Sequence, residues 1–236
     1  MMNKKKIKII GFIPAKKNSI DLKNKNLKKL NNLSLFELAI LAAKKSKLID
    51  EVYISSDSEK ILKISKKYNI NLIKRKKILS TNSSSANSLI LDFIKNKMKH
   101  LKENFIIVYL QPTSPFRNNQ HIDKALKFFL NSKFKSVLSV TENKNFYKSF
   151  KLNRGSLKPH FDDKFVTNNR QNLEKIYSPN GAIYIFFSYD FIKKKKINFI
   201  KAGYYIMNRI HSIDIDDIDD YELAKHLSKK YLIFKK

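Results

Sequence analysis

Short apolar runs and amphipathic segments alternate along this chain, and this alternation constrains the fold more than any other feature. The apolar runs are rich in β-branched and aromatic residues and predict strands over 7–13, 52–56, 70–73, 105–110, 136–140, 182–187 and 203–207. Between them, apolar residues at helical spacing predict helices over 34–47, 58–68, 86–99, 120–131 and 217–231. We therefore predict an α/β fold with a mostly parallel, doubly wound sheet. Such sheets bind ligands beyond the carboxyl ends of their strands.

One polar stretch, 142–179, interrupts this alternation between two predicted strands. We interpret it as an arm inserted within a single domain of 1–236, serving either as a flap or in dimerisation. Its aromatic residues Phe146, Tyr147, Phe150 and Phe161 are too few to form a core of their own. The arm is therefore predicted to cover these rings with a partner surface.

The net charge of +29 raises the possibility of nucleic-acid binding. However, nearly all 49 basic residues are lysines spread along the chain, and only five are the arginines that suit bidentate contacts to phosphates and bases. This pattern favours solvated lysine faces, so no specific nucleic-acid partner is expected. The absence of cysteine excludes disulfides and thiolate metal sites. Neither a bilayer-length apolar run nor a signal peptide is recognisable, and we expect a cytoplasmic protein without membrane insertion.

Two predicted strands end in loops with ligand-binding chemistry. The first strand leads into IPAKKNSIDLKNKN, 13–26, a basic loop without the glycines that phosphate-binding loops usually need. Taken alone it is either a phosphate cradle or an ordinary basic turn. The strand at 105–110 ends in LQPTSPFR, 110–117, which concentrates amide, hydroxyl and guanidinium groups where a ligand should lie.

The acidic segment HSIDIDDIDDYELA, 211–224, is exceptional in so basic a chain. In an extended backbone Asp214 and Asp216 point to the same side, and two neighbouring carboxylates suit Mg²⁺. The alternative is that the acids only cap the last helix, a role we assign to Asp217, Asp219 and Asp220.

These motifs occur together, with SSD at 55–57 and NGAIYI at 180–185, in the order found in the acylneuraminate cytidylyltransferases. The chain resembles this family of CMP-sialic acid synthetases, which includes CMP-legionaminic and CMP-pseudaminic acid synthetases, over essentially its whole length. The resemblance implies a nucleotide-diphospho-sugar transferase-like fold and a homodimer with an exchanged arm. It also implies Mg²⁺ as cofactor and transfer of CMP from CTP to a nine-carbon 2-keto sugar acid.

The resemblance also assigns site residues, matched by their motifs. Catalytic roles fall on Lys16, Lys25 and Asp214, and metal binding falls on Asp214 and Asp216. Nucleotide binding is assigned to Lys16, Asn18, Ser19, Lys25, Asn26, Arg75 and Ser84. Binding of the sugar acid is assigned to Gln111, Lys148 and Arg170.

Several positions depart from the family pattern. Ile20 and Asp21 stand where the family has lysine and glycine, and Asn82 replaces an acid. The first two changes remove a cation and add an anion, which predicts a slow enzyme. Two alternatives remain open at this point: a binding protein that keeps the fold and dimer without turnover, and a nucleotidyltransferase for another sugar.

Overall fold

The computed structural model describes residues 7–81, 83–101 and 103–234. Within these ranges the strands are β1 (Ile9–Pro14), β2 (Lys29–Leu30), β3 (Leu33–Ser34), β4 (Glu51–Ser56), β5 (Asn71–Lys74), β6 (Ile106–Tyr109), β7 (Ser136–Glu142), β8 (Phe150–Asn153), β9 (Ser156–Pro159), β10 (Tyr177–Phe187) and β11 (Gly203–Ile206). The α-helices are α1 (Leu35–Lys44), α2 (Glu59–Ser65), α3 (Ala86–Leu101), α4 (Asn119–Leu130), α5 (Lys164–Thr167), α6 (Ser188–Lys194) and α7 (Ile218–Tyr231). Asn82, which the sequence singled out, lies outside the described residues.

Seven strands form one sheet in the order β11-β7-β10-β6-β1-β4-β5. The pairs β1–β4, β1–β6, β4–β5 and β7–β11 are parallel, whereas β10 pairs antiparallel with both β6 and β7. The predicted mostly parallel sheet is therefore confirmed, with β10 as its single reversed strand among the described residues.

Helices cover both faces of the sheet, as predicted. Buried residues of α1, α2, α4 and α7 belong to one hydrophobic cluster, and those of α3 and α6 belong to a second. Alternation along the strands feeds both clusters, since Ile13 of β1 faces the first and Phe12 faces the second. On the second face Phe12 stacks on Phe93 of α3 with ring centroids 4.4 Å apart.

The seven predicted strands and five predicted helices are present with shifted ends, but α6 and three short elements were not predicted. Helix α6 follows β10 without an intervening loop, and its N-cap Phe187 provides no side-chain cap. The pairs β2–β3 and β8–β9 are small antiparallel hairpins, and α5 is a single turn.

Segment 142–179 leaves the sheet where β7 ends and returns where β10 begins, and Glu142 and Tyr177 are paired there. It contains the β8–β9 hairpin and α5. We keep the term arm for this segment. In the described part of the chain, no helix combines the length and apolar character needed to cross a membrane.

Candidate active site

A cavity of about 280 Å³ opens at the carboxyl edge of the central strands β1 and β6. The loops that follow β1, β5 and β6, the start of α3 and the segment before α7 supply its walls. Its lining residues are Pro14, Lys16, Ser19, Lys25, Asn26, Arg75, Leu79, Ser84, Ser85, Ala86, Leu89, Tyr109, Gln111, Pro112, Thr113, Asp214 and Asp216.

The loop after β1 keeps a defined shape without glycine. Asn24 takes the left-handed conformation with φ 56°, which asparagine tolerates better than most residues. The Lys17 backbone N–H donates to Asp57 Oδ1 at 2.7 Å, and Asn26 Nδ2 donates to the Lys16 carbonyl at 2.7 Å. These bonds hold the ends of the loop together and turn Lys16 and Lys25 into the cavity.

Arg75 forms a buried cationic wall of the cavity at the end of β5. Its Nη2 donates to the Ser55 carbonyl at 2.9 Å, so the guanidinium is held against the end of β4. Burial lowers the pKa of Arg75, and the nearby Asp57 carboxylate opposes that shift. A guanidinium fixed in this way can present donors to an anionic ligand without further ordering.

Asp214 is the less exposed of the two acids of the site. One of its oxygens, Oδ1, is buried and has no hydrogen-bond partner among the described residues. Burial raises the pKa of Asp214, Asp216 raises it further, and a hydrogen bond from the Thr113 side chain and the charge of Lys25 lower it. A buried carboxylate oxygen without a partner is costly, which suggests that a ligand completes its coordination.

Asp216 lies nearer the mouth, with 74% of its side chain exposed. Its Oδ1 is 3.0 Å from Nζ of Lys25, whose side chain is only 10% exposed. Asp217 caps α7 by accepting from the backbone N–H of Asp220 at 2.9 Å, as predicted. The capping acids and the two cavity acids are therefore separate groups.

Gly181 allows the side chains of Gln111 and Asp214 to approach the backbone of β10 closely. It has φ +74°, and a Cβ built there would lie 2.7 Å from both Asp214 Oδ2 and Gln111 Oε1. The positive φ and this close approach both require glycine. Gln111 and Asp214 thus face each other across the backbone of β10.

Arg117, from the LQPTSPFR motif, is a buried residue that stabilises the backbone around the site. It is 1% exposed, and its Nη1 donates to the carbonyls of Gln111 at 2.8 Å and Ala182 at 3.0 Å. Burial lowers the pKa of Arg117 to about 9, opposed by the charge of Asp214. The guanidinium therefore ties the loop carrying Gln111 to the strand carrying Gly181.

The structure brings together most of the residues that the sequence assigned to the site. Those that line the cavity are Lys16, Ser19, Lys25, Asn26, Arg75, Ser84, Gln111, Asp214 and Asp216. Asn18 is exposed beside it, and Lys148 lies in the arm; neither lines it. Arg170 is also in the arm, and its side chain lies outside the described part of the structure.

The family model for Cytidylyltransferase matches residues 10–234. The chain belongs to this family. It is 34% identical over 225 residues to the N-acylneuraminate cytidylyltransferase of Escherichia coli O18:K1:H7, covering 94% of this chain and 52% of that protein. It is 30% identical to post-translational flagellin modification protein B of Campylobacter coli, covering 94% of this chain and 95% of that one. The chain thus spans about half of the first relative and nearly all of the second.

Solved structures support the fold assignment of this family member. A CMP:2-keto-3-deoxy-manno-octonic acid synthetase complexed with CTP superimposes with a TM-score of 0.70 at 12% identity, covering 94% of this chain and 99% of that one. The 4-diphosphocytidyl-2C-methyl-D-erythritol synthase of Anaerococcus prevotii gives 0.67 at 15% identity, covering 95% and 97%. The family and fold inferred from the motifs are confirmed.

The acidic pair fits a divalent ion that is shared with a substrate. Among the described residues, no group of three or more His, Asp or Glu side chains could enclose a metal on its own. Mg²⁺ typically takes one or two carboxylates and completes its coordination with water and substrate phosphates. Asp214, with its unpartnered Oδ1, and Asp216 supply this donor set.

Sequence reasoning did not single out Tyr109 and Thr113. Tyr109 is 5% exposed at the end of β6, and its ring lies 6.1 Å from that of Tyr184. A tyrosine within an apolar strand gives no sign of facing a cavity. Thr113 could have been found, because LQPTSPFR was already recognised as rich in polar groups.

Proposed function

We propose that this protein is a cytidylyltransferase that activates a nonulosonic, sialic-type acid with CTP, giving the CMP-sugar and pyrophosphate. The observation that carries the proposal is the pairing of charges in one cavity. The cations Lys16, Lys25 and Arg75 and the acids Asp214 and Asp216 line the same 280 Å³ space. This arrangement suits a triphosphate and a divalent ion.

In the proposed reaction the anomeric hydroxyl of the sugar acid loses its proton to solvent, and its oxygen bonds to the α-phosphorus of CTP. The bond from that phosphorus to the β-phosphate bridging oxygen breaks, and pyrophosphate leaves. Transfers of this kind depend on alignment and on neutralising charge more than on covalent help from the protein. Lys16 and Lys25 would neutralise the triphosphate, with Ser19 and Asn26 fixing its position. Asn18 would join them only if the exposed side chain turned inward.

Asp214 and Asp216 would hold Mg²⁺. The ion, when bound, would polarise the phosphate oxygens and stabilise the charge of the leaving group. Arg75 and Ser84, which also line the cavity, would fix the nucleoside end. Gln111, oriented by Arg117 through its carbonyl, would bind the sugar acid.

We also propose a homodimer formed through the arm. On the β8–β9 hairpin, directly opposed residues share a face, and one face carries Phe150, Leu152, Leu157 and Pro159. Leu152 is 88% exposed and Leu157 64%. Three of the four rings predicted to need a partner instead pack on one another, with Phe146 and Phe161 4.8 Å apart. The hairpin face, including Phe150, is what a second copy would cover.

In that dimer Lys148 and Arg170 would reach the partner's cavity. Both belong to the arm, and Lys148 is not among the residues that line the cavity of its own chain. A negatively charged sugar acid would gain these cations from the second copy.

The test measures pyrophosphate release from CTP with N-acetylneuraminic, legionaminic and pseudaminic acids, with ATP, GTP and UTP as controls. We expect release that requires CTP, one of these acids and a divalent ion. Parallel reactions replace these acids with other sugars, and release only in those reactions would favour the alternative nucleotidyltransferase. Binding of CTP without release from any acid would favour the non-catalytic alternative.

A further inference from the structure

Lys25 occupies an unusual position for a lysine assigned to a triphosphate. Its side chain is 10% exposed and its ammonium lies 3.0 Å from Asp216 Oδ1, one of the two carboxylates assigned to the metal. Its charge also acts on Asp214. The ammonium is therefore paired with Asp216 and also acts electrostatically on Asp214.

A metal ion and this ammonium compete for the same carboxylate. A divalent ion that takes Asp216 Oδ1 must displace Lys25, or share the oxygen with a cation at close range, which is repulsive. The displaced ammonium is largely buried and needs another anion, since an unpaired buried charge is costly. Within the cavity, the bound triphosphate is the natural replacement.

We propose that Lys25 is an internal counter-cation that neutralises the Asp214–Asp216 carboxylates until a triphosphate binds. The ammonium then moves to the triphosphate, and metal binding is therefore conditional on the nucleotide. The inference deepens the proposed function and rests on it for the identity of the ligand. Binding of the metal and binding of the nucleotide are then coupled, and each ligand raises the affinity of the protein for the other. The coupling would keep the ion from binding in an unproductive complex.

One substitution should change the affinities for metal and for nucleotide in opposite directions. Lys25→Met keeps a side chain of similar length but removes the competing charge. It should tighten the binding of Mn²⁺ alone at least about threefold, the scale of a partly exposed ion pair, and weaken the binding of CTP alone. A lysine that served only the nucleotide would leave the affinity for Mn²⁺ unchanged.

Lys23→Met is the matched control, because Lys23 is an exposed lysine of the same loop and its loss changes net charge equally. Free Mn²⁺ would be measured by electron paramagnetic resonance in wild type, Lys25→Met and Lys23→Met without nucleotide. Adding Asp216→Asn to Lys25→Met should remove the gain. Lys25→Gln provides a second variant if circular dichroism shows that Lys25→Met is unfolded.

Mn²⁺ binding by Lys25→Met and Lys25→Gln no tighter than by Lys23→Met would overturn the inference. This readout needs no turnover, so it is separate from the test of the proposed function. Tighter Mn²⁺ binding without pyrophosphate release in wild type would support the counter-cation and count against the enzyme. Release without tighter binding would do the reverse.

Discussion

At the scale of single residues, Asp214 and Asp216 are only two positions apart in the sequence but lie in different surroundings. Asp214 is half-buried and its Oδ1 has no hydrogen-bond partner among the described residues, whereas Asp216 is exposed and paired with Lys25. We expect Asp214→Asn and Asp216→Asn each to lower kcat at least about a hundredfold, since metal assistance supplies several kcal/mol. The melting temperature should fall little, and Asp214→Asn should even relieve the burial of a charge. Wild-type rates in both variants at limiting Mg²⁺ would refute the metal assignment.

Gly181 offers a test of the close approach between Gln111 and Asp214. In Gly181→Ala the added methyl would lie 2.7 Å from an oxygen of each of those side chains, which must then move, and we expect activity to be lost. Gly155→Ala is the matched control, because Gly155 also has positive φ, +83°, but open space around its Cβ. Both changes should cost about 1–2 kcal/mol in backbone strain. Only Gly181→Ala should abolish pyrophosphate release, and equal losses in both variants would mean that strain alone matters.

The loop after β1 shows what sequence could and could not predict about the site. Its motif placed Lys16, Ser19, Lys25 and Asn26, which do line the cavity. The missing glycines are explained by Asn24 at φ 56°, because asparagine can take the left-handed conformation. The partnership of Lys25 with Asp216 joins positions 191 residues apart, and no local pattern encodes such a contact.

At the scale of elements, periodicity predicted strands and helices but not strand direction. The alternation of apolar residues in β10 is compatible with either direction, and only its pairing with β6 and β7 reverses it. Helix α6 was missed because it begins directly at the end of β10 without a capping residue. The β8–β9 hairpin lay in a segment whose polar composition hid its alternation.

The loop after β1 also predicts how the departure at 20 and 21 affects rate. Ile20 is 73% exposed and Asp21 is exposed, and neither lines the cavity. The missing cation at position 20 should therefore affect triphosphate binding more than the added carboxylate at position 21. We expect Ile20→Lys with Asp21→Gly to raise kcat/KM for CTP at least about tenfold, equivalent to about 1.4 kcal/mol.

Most of that gain should come from Ile20→Lys alone, measured by steady-state pyrophosphate release. Leu130→Lys, at an exposed apolar position on α4, controls for the added charge. An unchanged kcat/KM in the double variant of an active enzyme would show that the loop binds the phosphates by other groups.

At the scale of the whole molecule, the arm should determine the oligomeric state. Leu152 and Leu157 are opposed on one exposed hairpin face, and burying them on a second copy would remove this apolar surface from water. Leu152→Lys with Leu157→Lys should convert a dimer into a monomer by light scattering at micromolar concentration. Leu130→Lys again serves as control and should stay dimeric. A wild-type monomer, or a dimer unaffected by the paired change, would contradict the arm interface.

A mixed dimer can show whether the arm completes the partner's active site. If Lys148 acts on the partner's cavity, a mixed dimer of Asp214→Asn and Lys148→Ala chains contains one complete site. Its cavity comes from the Lys148→Ala chain and its arm from the Asp214→Asn chain. We expect Lys148→Ala, like Asp214→Asn, to be inactive on its own. Random pairing makes half of all dimers mixed, so about a quarter of wild-type activity should return when the two variants are co-expressed. If Lys148 acted within its own chain, both cavities of a mixed dimer would be defective. Activity no higher than that of the separate variants would then place Lys148 in its own chain's site.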